Sequence, residues 1–532
     1  MRRLKDVIMV LAGIWIMAMA GCSSSSSDNH AEQGSSPEES SASSVKEVLA
    51  AQGFKVISSV TRDGDTGYLA MNKDEKQCLV LQGSPYNIGF EMGMLLPEGT
   101  SRMTKDYTAE VMREFTGIEK GTPLYDLLLG MVLNLCTGSL EEKDAIPQYL
   151  RDEMQGIADG ASQAGRKVAF ADVLILNEGF DALFAMLFSG QLPHSDKANH
   201  DLFGCNGFVV SGKATAGGKV YHGRDFMFAT GGIFQDEALM AVYLPDEGFP
   251  FVTVTAPGFV GQTTGLNSRG LSMGVDVVYG GATRGTPGMG CLLVLRDIVQ
   301  HCGNLEDAVA RMKAQNRGVS WLYVLADDEW SAAYTHGIVV EEGMSCDESG
   351  KEFTGPDILP IWEQLVLKPD IDNLDDTLPE RGVMMRTQDW VYPEAFKNDA
   401  RFPDQIEEWD DVVAATNNYI IPRMVFTTFS PWISRLQDGY WSHSQTLERY
   451  ADLLDHIAQK YGSIDFASAR DLIDFMNPNR MDWQRYQVNG PVEGHHDIFD
   501  NRELVTEALY GYYHPDEPWV RIDLKPFVAL QR

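Results

Sequence analysis

The feature that most constrains the fold is a long series of short strand-like segments, separated by glycine-rich turns, that begins near residue 205. Short apolar or alternating runs bounded by turn residues are typical of β-strands. Because these segments do not alternate one for one with helices, they predict antiparallel sheets and not a parallel sheet. The predicted strands are Phe208–Val210, Val220–His222, Ala238–Leu244, Phe251–Thr255 and Leu271–Val278, followed by a hairpin of Trp321–Ala326 and Ser331–His336.

Helical patterns flank and interrupt these strands. Residues 46 to about 204 are predicted to be mainly helical, as is most of the C-terminal region. Sheets covered by helices are the arrangement that buries the apolar faces of both kinds of element, so we predict an α+β fold. The segments with the clearest apolar or helical periodicity are Asp126–Leu135, Ile146–Ala164, Cys291–Cys302, Leu305–Ala314 and Ser444–Tyr461.

One predicted hairpin carries residues suited to chemistry. Cys205 opens its first strand, Gly217 and Gly218 form a tight turn, and the second strand leads through His222 to Arg224. The antiparallel return brings Arg224 back beside Cys205. A guanidinium next to a thiol stabilises the thiolate, which is the reactive form. Cys205 is therefore a candidate nucleophile, and the alternative is a buried structural thiol.

The same stretch resembles a known family, the N-terminal-nucleophile (Ntn) hydrolases related to acyl-coenzyme A:6-aminopenicillanate acyltransferase. Bile-salt hydrolases and acid ceramidase-like amidases are more distant relatives. Family members carry Gly-Cys, a hairpin similar to residues 212–219, and then His-Gly-Arg; residues 81–86, 156–160 and 265–272 also resemble family segments. The resemblance covers most of residues 78–460 and implies a four-layer αββα sandwich with a helical N-terminal segment.

The resemblance further implies a precursor that cuts itself between Gly204 and Cys205. Glycine before the scissile bond tolerates the strained backbone needed for attack by the next side chain. The new α-amino group, with an unperturbed pKa of about 8, then serves as general base for its own thiol. On this basis residues 46–204 form a propeptide or α segment, residues 205–532 form the catalytic β segment, and the two fragments stay associated.

Other catalytic roles follow from the resemblance by position. Arg224 matches the arginine that flanks the nucleophile. The aspartate that holds the α-amino group in the family falls on Met227 here, and Asp225 is the nearest carboxylate that could replace it. Asn417 resembles the oxyanion-stabilising asparagine, and Arg449 resembles a second active-site arginine. An ion pair, a turn residue and a solvated charge are the structural alternatives for these residues.

Two further patterns are weaker. Related hydrolases place a second asparagine near Asp276, but a carboxylate is a poor oxyanion donor unless it is protonated. His495, His496 and Asp497 suggest a metal site, yet neighbouring residues of a strand face opposite ways and no further ligand cluster supports one. We therefore expect no metal and no other cofactor.

The N-terminus predicts export. Basic residues precede an apolar stretch over residues 7–20, and small residues then lead to Cys22. This resembles a bacterial lipoprotein signal, with residues 1–21 removed and Cys22 lipidated; an ordinary signal peptide or a short membrane anchor is the alternative. Residues 22–45 are polar and are expected to form a disordered tether. We expect the protein in the bacterial cell envelope, lipid-anchored in the outer membrane or on the periplasmic face.

Charge and chemistry together define the predicted function. A formal net charge of −33 argues against nucleic-acid binding, which needs a basic surface. The sequence predicts an autoproteolytic cysteine hydrolase that cleaves a linear amide bond, in a small molecule or peptide, through an acyl-thioester on Cys205. The alternatives are acyl transfer to an amine and a non-catalytic, ligand-binding surface lipoprotein.

Overall fold

A computed structural model provides the structure. It describes residues 44–142, 145–188, 205–228, 232–278, 280, 282–354, 377–397, 405–406, 408–425, 427, 444–476, 494–511 and 517–531. The predicted signal peptide, the lipidated Cys22, the tether up to residue 43 and Gly204 of the predicted cleavage site lie outside these residues.

The strands of the described residues supply two sheets. They are β1 (Lys55–Arg62), β2 (Asp65–Met71), β3 (Gln77–Gly83), β4 (Asn206–Gly212), β5 (Gly218–Met227), β6 (Leu239–Pro245), β7 (Phe251–Thr255), β8 (Thr264–Asn267), β9 (Ser272–Val277), β10 (Trp321–Ser331), β11 (Thr335–Glu342), β12 (Val383–Thr387), β13 (Val412–Ala415), β14 (Gly494–Asp500), β15 (Val505–Tyr510) and β16 (Val520–Asp523).

The helices lie before, between and after these strands. They are α1 (Val45–Ala51), α2 (Pro85–Leu95), α3 (Pro97–Arg102), α4 (Thr108–Thr116), α5 (Pro123–Glu141), α6 (Gln148–Gln163), α7 (Phe170–Phe188), α8 (Ile233–Glu237), α9 (Cys291–His301), α10 (Leu305–Ala314), α11 (Pro422–Val425), α12 (Ser444–Lys460), α13 (Phe466–Phe475) and α14 (Lys525–Val528). By length and composition, helix α5 could cross a membrane. The core helices of soluble proteins can have the same length and composition.

The larger sheet has ten strands in the order β1-β2-β3-β6-β7-β8-β9-β10-β11-β12. All neighbours pair antiparallel except β3 and β6, which are parallel. The smaller sheet has the order β13-β4-β5-β14-β15-β16 and is antiparallel throughout. The predicted antiparallel organisation is therefore confirmed, with one parallel pair where the chain returns after the helical region.

The two sheets pack face to face, and helices cover their outer faces. Strands β4 and β5 contact β9, β10 and β11 across the interface; α9 packs on β8 and β9, while α13 packs on β5 and β14. Strand β3 shows why its residues are almost all apolar: Leu79 and Leu81 join the core beneath the helices, and Cys78 and Val80 join the core between the sheets. The expected four-layer α+β sandwich is confirmed.

The N-terminal segment differs from a purely helical one. Strands β1 to β3 extend the larger sheet before the helices begin at Pro85. Val80 and its neighbours form a short, continuous apolar run, which periodicity alone does not distinguish from a buried helix. Helix α2 begins where the Ser84 hydroxyl accepts a hydrogen bond from the Asn87 N–H and proline occupies the first helical position.

Helices α2 and α6 cross with their backbones in contact. A Cβ atom added at Gly89 would lie 2.0 Å from the Glu153 carbonyl oxygen, and one added at Gly156 would lie 2.2 Å from that of Tyr86. These distances are far below a normal van der Waals contact, so only glycine allows the two helices to approach this closely. The same contact recurs one turn along each helix, at Gly93 and Gly160.

This crossing yields a stability prediction. Gly89→Ala should destabilise the protein by about 1–3 kcal/mol or more, because the new methyl group meets backbone that cannot move aside. Gly130→Ala in α5 is the matched control, since a Cβ there meets nothing within 4 Å. It should be neutral or stabilise by up to about 1 kcal/mol through helix propensity. Urea unfolding of both variants is the measurement, and equal midpoints would contradict the close crossing.

Candidate active site

Strand register decides which side chains meet at the β4–β5 hairpin. Asn206 lies opposite Asp225, Gly207 lies opposite Arg224, and Arg224 in turn lies opposite Asp497 of β14. Directly opposed residues share a face of a sheet, and their sequence neighbours point the other way. Arg224 and Asp497 therefore face the larger sheet, whereas Asn206 and Asp225 face the outer helices.

Cys205 lies immediately before β4 and is 2% exposed. Its thiol makes a weak hydrogen bond, 3.7 Å long, to the Met227 carbonyl oxygen. Burial raises the pKa of the thiol, the positive charge of Arg224 opposes that rise, and the negative charge of Asp276 adds to it. Arg224 thus lies close enough to Cys205 to act on its thiol, as expected from the sequence, but burial outweighs the effect of Arg224 on the thiol pKa.

Arg224 is held between the two sheets by a buried counterion. Its Nη2 lies 3.1 Å from Oδ1 of Asp276, and both side chains are fully buried. The guanidinium also donates to the backbone carbonyls of Val275 and Asp225. Gly274 makes this possible, because a Cβ there would lie 2.4 Å from the Arg224 side chain.

Asp276 is the counterion of Arg224, a role that the sequence did not indicate. Burial raises the pKa of its carboxyl to about 6, although Arg224 and Arg449 lower it. Its two oxygens accept no hydrogen bond from any residue that the structure describes. Asp276 therefore stands where an asparagine was expected and acts as the counterion of Arg224, which sequence spacing could not indicate.

Asp225 points away from the thiol. Its Oδ2 accepts a hydrogen bond of 2.9 Å from the Asn206 amide, and its Oδ1 lies 2.8 Å from Nδ1 of His496. All three side chains lie on the helix-facing side of the smaller sheet. Met227, where the family places its aspartate, is fully buried in the apolar core.

Arg449 of α12 links Cys205 to Asn417. Nη1 of Arg449 donates to the Cys205 carbonyl oxygen at 3.0 Å, and Nη2 donates to Oδ1 of Asn417 at 2.9 Å. The Asn417 amide donates to the Val277 carbonyl oxygen at 2.9 Å. Arg449 is fully buried, so it is not a solvated surface charge. The structure thus brings together Cys205, Arg224, Asn417 and Arg449. Asp225 instead contacts Asn206 and His496 on the helix-facing side of the smaller sheet.

An apolar cavity opens beside Cys205. It is partly open to solvent, and Cys205 forms part of its wall. Its polar wall residues include Thr108 and Thr263, and a second thiol, Cys291, also lines it. Such a cavity suits an apolar group attached to the carbonyl under attack. The aromatic residues of the wall are Tyr107, Phe180, Phe226, Phe228, Phe234, Phe259 and Trp321.

The described parts of the chain contain no group of three or more His, Cys, Asp or Glu side chains placed to hold a metal ion. His495 and His496 face opposite sides of β14, as expected for neighbours on a strand. The polar groups that meet near Cys205 are its thiol, two arginines, an amide and a buried carboxylate.

Known proteins resemble this chain over parts of its sequence. The acyl-coenzyme A:6-aminopenicillanic acid acyl-transferase family matches residues 222–344, which run from the end of the nucleophile hairpin through β11. An uncharacterized protein of Archaeoglobus fulgidus is 33% identical over 475 residues, which is 89% of this chain and 70% of that protein.

Solved structures give weaker likenesses. An N-acylethanolamine-hydrolyzing acid amidase ortholog of Caenorhabditis elegans is 12% identical with a TM-score of 0.30, covering 59% of this chain and 95% of its own. Penicillin V acylase of Agrobacterium tumefaciens is 11% identical with a TM-score of 0.31, covering 60% and 86%. A conjugated bile acid hydrolase of Clostridium perfringens is 9% identical with a TM-score of 0.32, covering 60% and 92%. Likenesses with TM-scores this low do not indicate a function for this chain.

The charges around Cys205 predict how its reactivity responds to substitution. Asp276→Asn should lower the pKa of the Cys205 thiol and speed its alkylation by iodoacetamide about three- to tenfold at neutral pH, because a nearby negative charge is removed. Arg224→Gln should slow alkylation by a similar factor. Asp225→Asn is the matched control, because the charge of Asp225 acts on the thiol more weakly than that of Asp276.

Alkylation is measured by mass spectrometry of the Cys205 peptide, with circular dichroism to verify folding. Equal rates in the Asp276 and Asp225 variants would show that Asp276 does not act on the thiol.

Proposed function

Since the chain belongs to the Ntn hydrolases of the acyl-coenzyme A:6-aminopenicillanic acid acyl-transferase family, we propose that it is a cysteine amidohydrolase whose nucleophile is Cys205. The family comprises enzymes that hydrolyse amides or transfer acyl groups. The observation that carries the proposal is the position of the Cys205 thiol. It lies on the wall of an apolar cavity, and the positive charge of the buried Arg224 favours the thiolate.

The proposed reaction begins with attack of the Cys205 sulfur on the amide carbonyl carbon. The thiol proton passes to the α-amino group of Cys205 and from there to the departing amine. The product of this step is an acyl-thioester and a free amine. Water then attacks the thioester, releases the carboxylic acid and restores the thiol, so the overall change is hydrolysis of one amide bond.

Asn417 and Arg449 are the proposed supports of this reaction. An amide nitrogen carries two N–H donors, and that of Asn417 uses one on the Val277 carbonyl, which leaves one for the developing oxyanion. Arg449 holds both the Asn417 amide oxygen and the Cys205 carbonyl oxygen. It therefore fixes the nucleophile and the oxyanion donor relative to each other.

The free α-amino group requires cleavage of the bond between Gly204 and Cys205, and we propose that the chain performs this step itself. Support comes from the Gly-Cys sequence at the start of the hairpin. We propose that Asp276 serves as the counterion of Arg224 in the mature site. Asp225, which binds Asn206 on the outer face, is proposed as a positioning residue.

The apolar cavity supports amides with an apolar acyl group as the substrate class. Acyl transfer to an amine would use the same thioester, and hydrolysis is preferred because water is abundant outside the cytoplasm. Export and lipidation at Cys22, which would place the enzyme in the cell envelope, remain proposals from the N-terminal sequence.

Substitution of the two cavity thiols tests this function. Cys205→Ala should lower amide hydrolysis by about a thousandfold or more, because no other group replaces the nucleophile. Cys291→Ala, in which a thiol of the same cavity wall is removed, is the matched control and should keep most of the activity. Asn417→Ala should lower kcat about 10²- to 10³-fold through loss of an oxyanion donor.

The measurement is release of carboxylic acid from a panel of amides with apolar acyl groups, followed by chromatography. Equal activity of wild type and Cys205→Ala would sink the proposal, and so would a larger loss in Cys291→Ala than in Cys205→Ala.

A further inference from the structure

A chain of three hydrogen-bonded side chains reaches the same cavity at a distance from the nucleophile. Nδ1 of His495 lies 2.5 Å from Oδ2 of Asp497, and Nε2 of His495 lies 2.7 Å from the Thr263 hydroxyl oxygen. His495 is fully buried and Asp497 is 1% exposed, while Thr263 lines the cavity. We refer to these three residues as the threonine relay.

One tautomer of His495 gives every group of the relay a suitable hydrogen-bond partner. An ionised carboxylate can only accept, so Nδ1 of His495 donates to Asp497. In that tautomer, with the imidazole neutral, Nε2 is an acceptor and the Thr263 hydroxyl donates to it. The hydroxyl proton of Thr263 is thereby committed, and its oxygen keeps lone pairs that can only accept hydrogen bonds.

The surroundings hold the histidine in this orientation. Its ring lies against two aromatic side chains of the cavity wall, with ring centroids 5.3 Å from Phe226 and 6.1 Å from Phe234. The Thr263 carbonyl oxygen accepts a hydrogen bond of 3.1 Å from the Val275 N–H. This bond attaches the backbone of the threonine to strand β9. The relay is therefore held on both sides by elements that also build the cavity.

Strand register gives the separation between the relay and the nucleophile. Asn206 pairs with Asp225, so one more residue along the register places Cys205 opposite Phe226, and Phe226 pairs with His495. Cys205 and His495 thus share one face of the sheet, two strands apart. Two interstrand spacings correspond to roughly 10 Å between their Cα atoms.

We propose that the threonine relay, whose His495 lies two strands from Cys205, is a distal subsite that accepts a hydrogen bond from the substrate's acyl group. It deepens the proposed function by naming the acyl group: mainly apolar, with a single neutral donor such as a hydroxyl. A neutral donor fits better than an ammonium group, since the aromatic wall would make desolvation of a charge costly.

Decanamide and a set of isomeric hydroxydecanamides, each with one hydroxyl at a different carbon of the chain, are the probes. Binding is measured by calorimetry on Cys205→Ala, which cannot turn the amides over. One isomer should bind about tenfold more tightly than decanamide, as expected for a well-placed hydrogen bond. Adding Thr263→Val should remove that preference, and adding Thr263→Ser should keep it.

Three results would overturn the subsite. No isomer binds better than decanamide, the preference survives Thr263→Val, or neither decanamide nor any isomer binds. A structural role alone would weaken all the amides equally in Thr263→Val. Turnover by the wild type is scored separately, so a protein that binds the hydroxylated amide but hydrolyses none would refute the proposed function and leave the subsite standing.

Discussion

The site depends on an ion pair buried between two sheets. Arg224 of the smaller sheet meets Asp276 of the larger one at 3.1 Å, with both side chains fully buried. A pair of this kind contributes little net stability, because desolvation offsets the Coulomb attraction, but removal of one partner leaves a costly buried charge. The pair therefore fixes the position of the guanidinium at the hairpin that carries Cys205. That position sets the balance of charges felt by the thiol, which burial alone would make unreactive.

The layers of the fold give Cys205, the proposed nucleophile, two different environments. On the inner face, the thiol meets an aromatic-walled cavity and the Arg224–Asp276 pair. On the outer face, Arg449 from a covering helix donates hydrogen bonds to the backbone carbonyl of Cys205 and to the amide oxygen of Asn417. Alternation along β4 and β5 separates the two environments, so one strand pair positions both the reacting group and its supports.

Sequence patterns predicted much of this arrangement for local reasons. The strands from Phe208 to Val278 and the helices near Cys291 and Leu305 follow from short-range periodicity and turns. The pairing of Cys205 with Arg224 follows from a single hairpin. By contrast, strand β3 was hidden because a strand buried on both faces has no alternation. Thr263 was not recognised as a site residue, and Asp276 was noted only as the residue near the family's second asparagine. Their partners His495 and Arg224 are distant in sequence and meet them only when the two sheets stack. The side on which Asp225 points also depends on register, which spacing alone does not give.

The central claim is that Cys205 becomes an N-terminal nucleophile. The most direct measurement is N-terminal sequencing and intact mass of the purified mature protein, with Cys205→Ala beside it. The account predicts two fragments in the wild type, one of which begins at Cys205, and a single uncut chain in the variant. A single uncut chain in both proteins, or cleavage at the same bond in both, would contradict it.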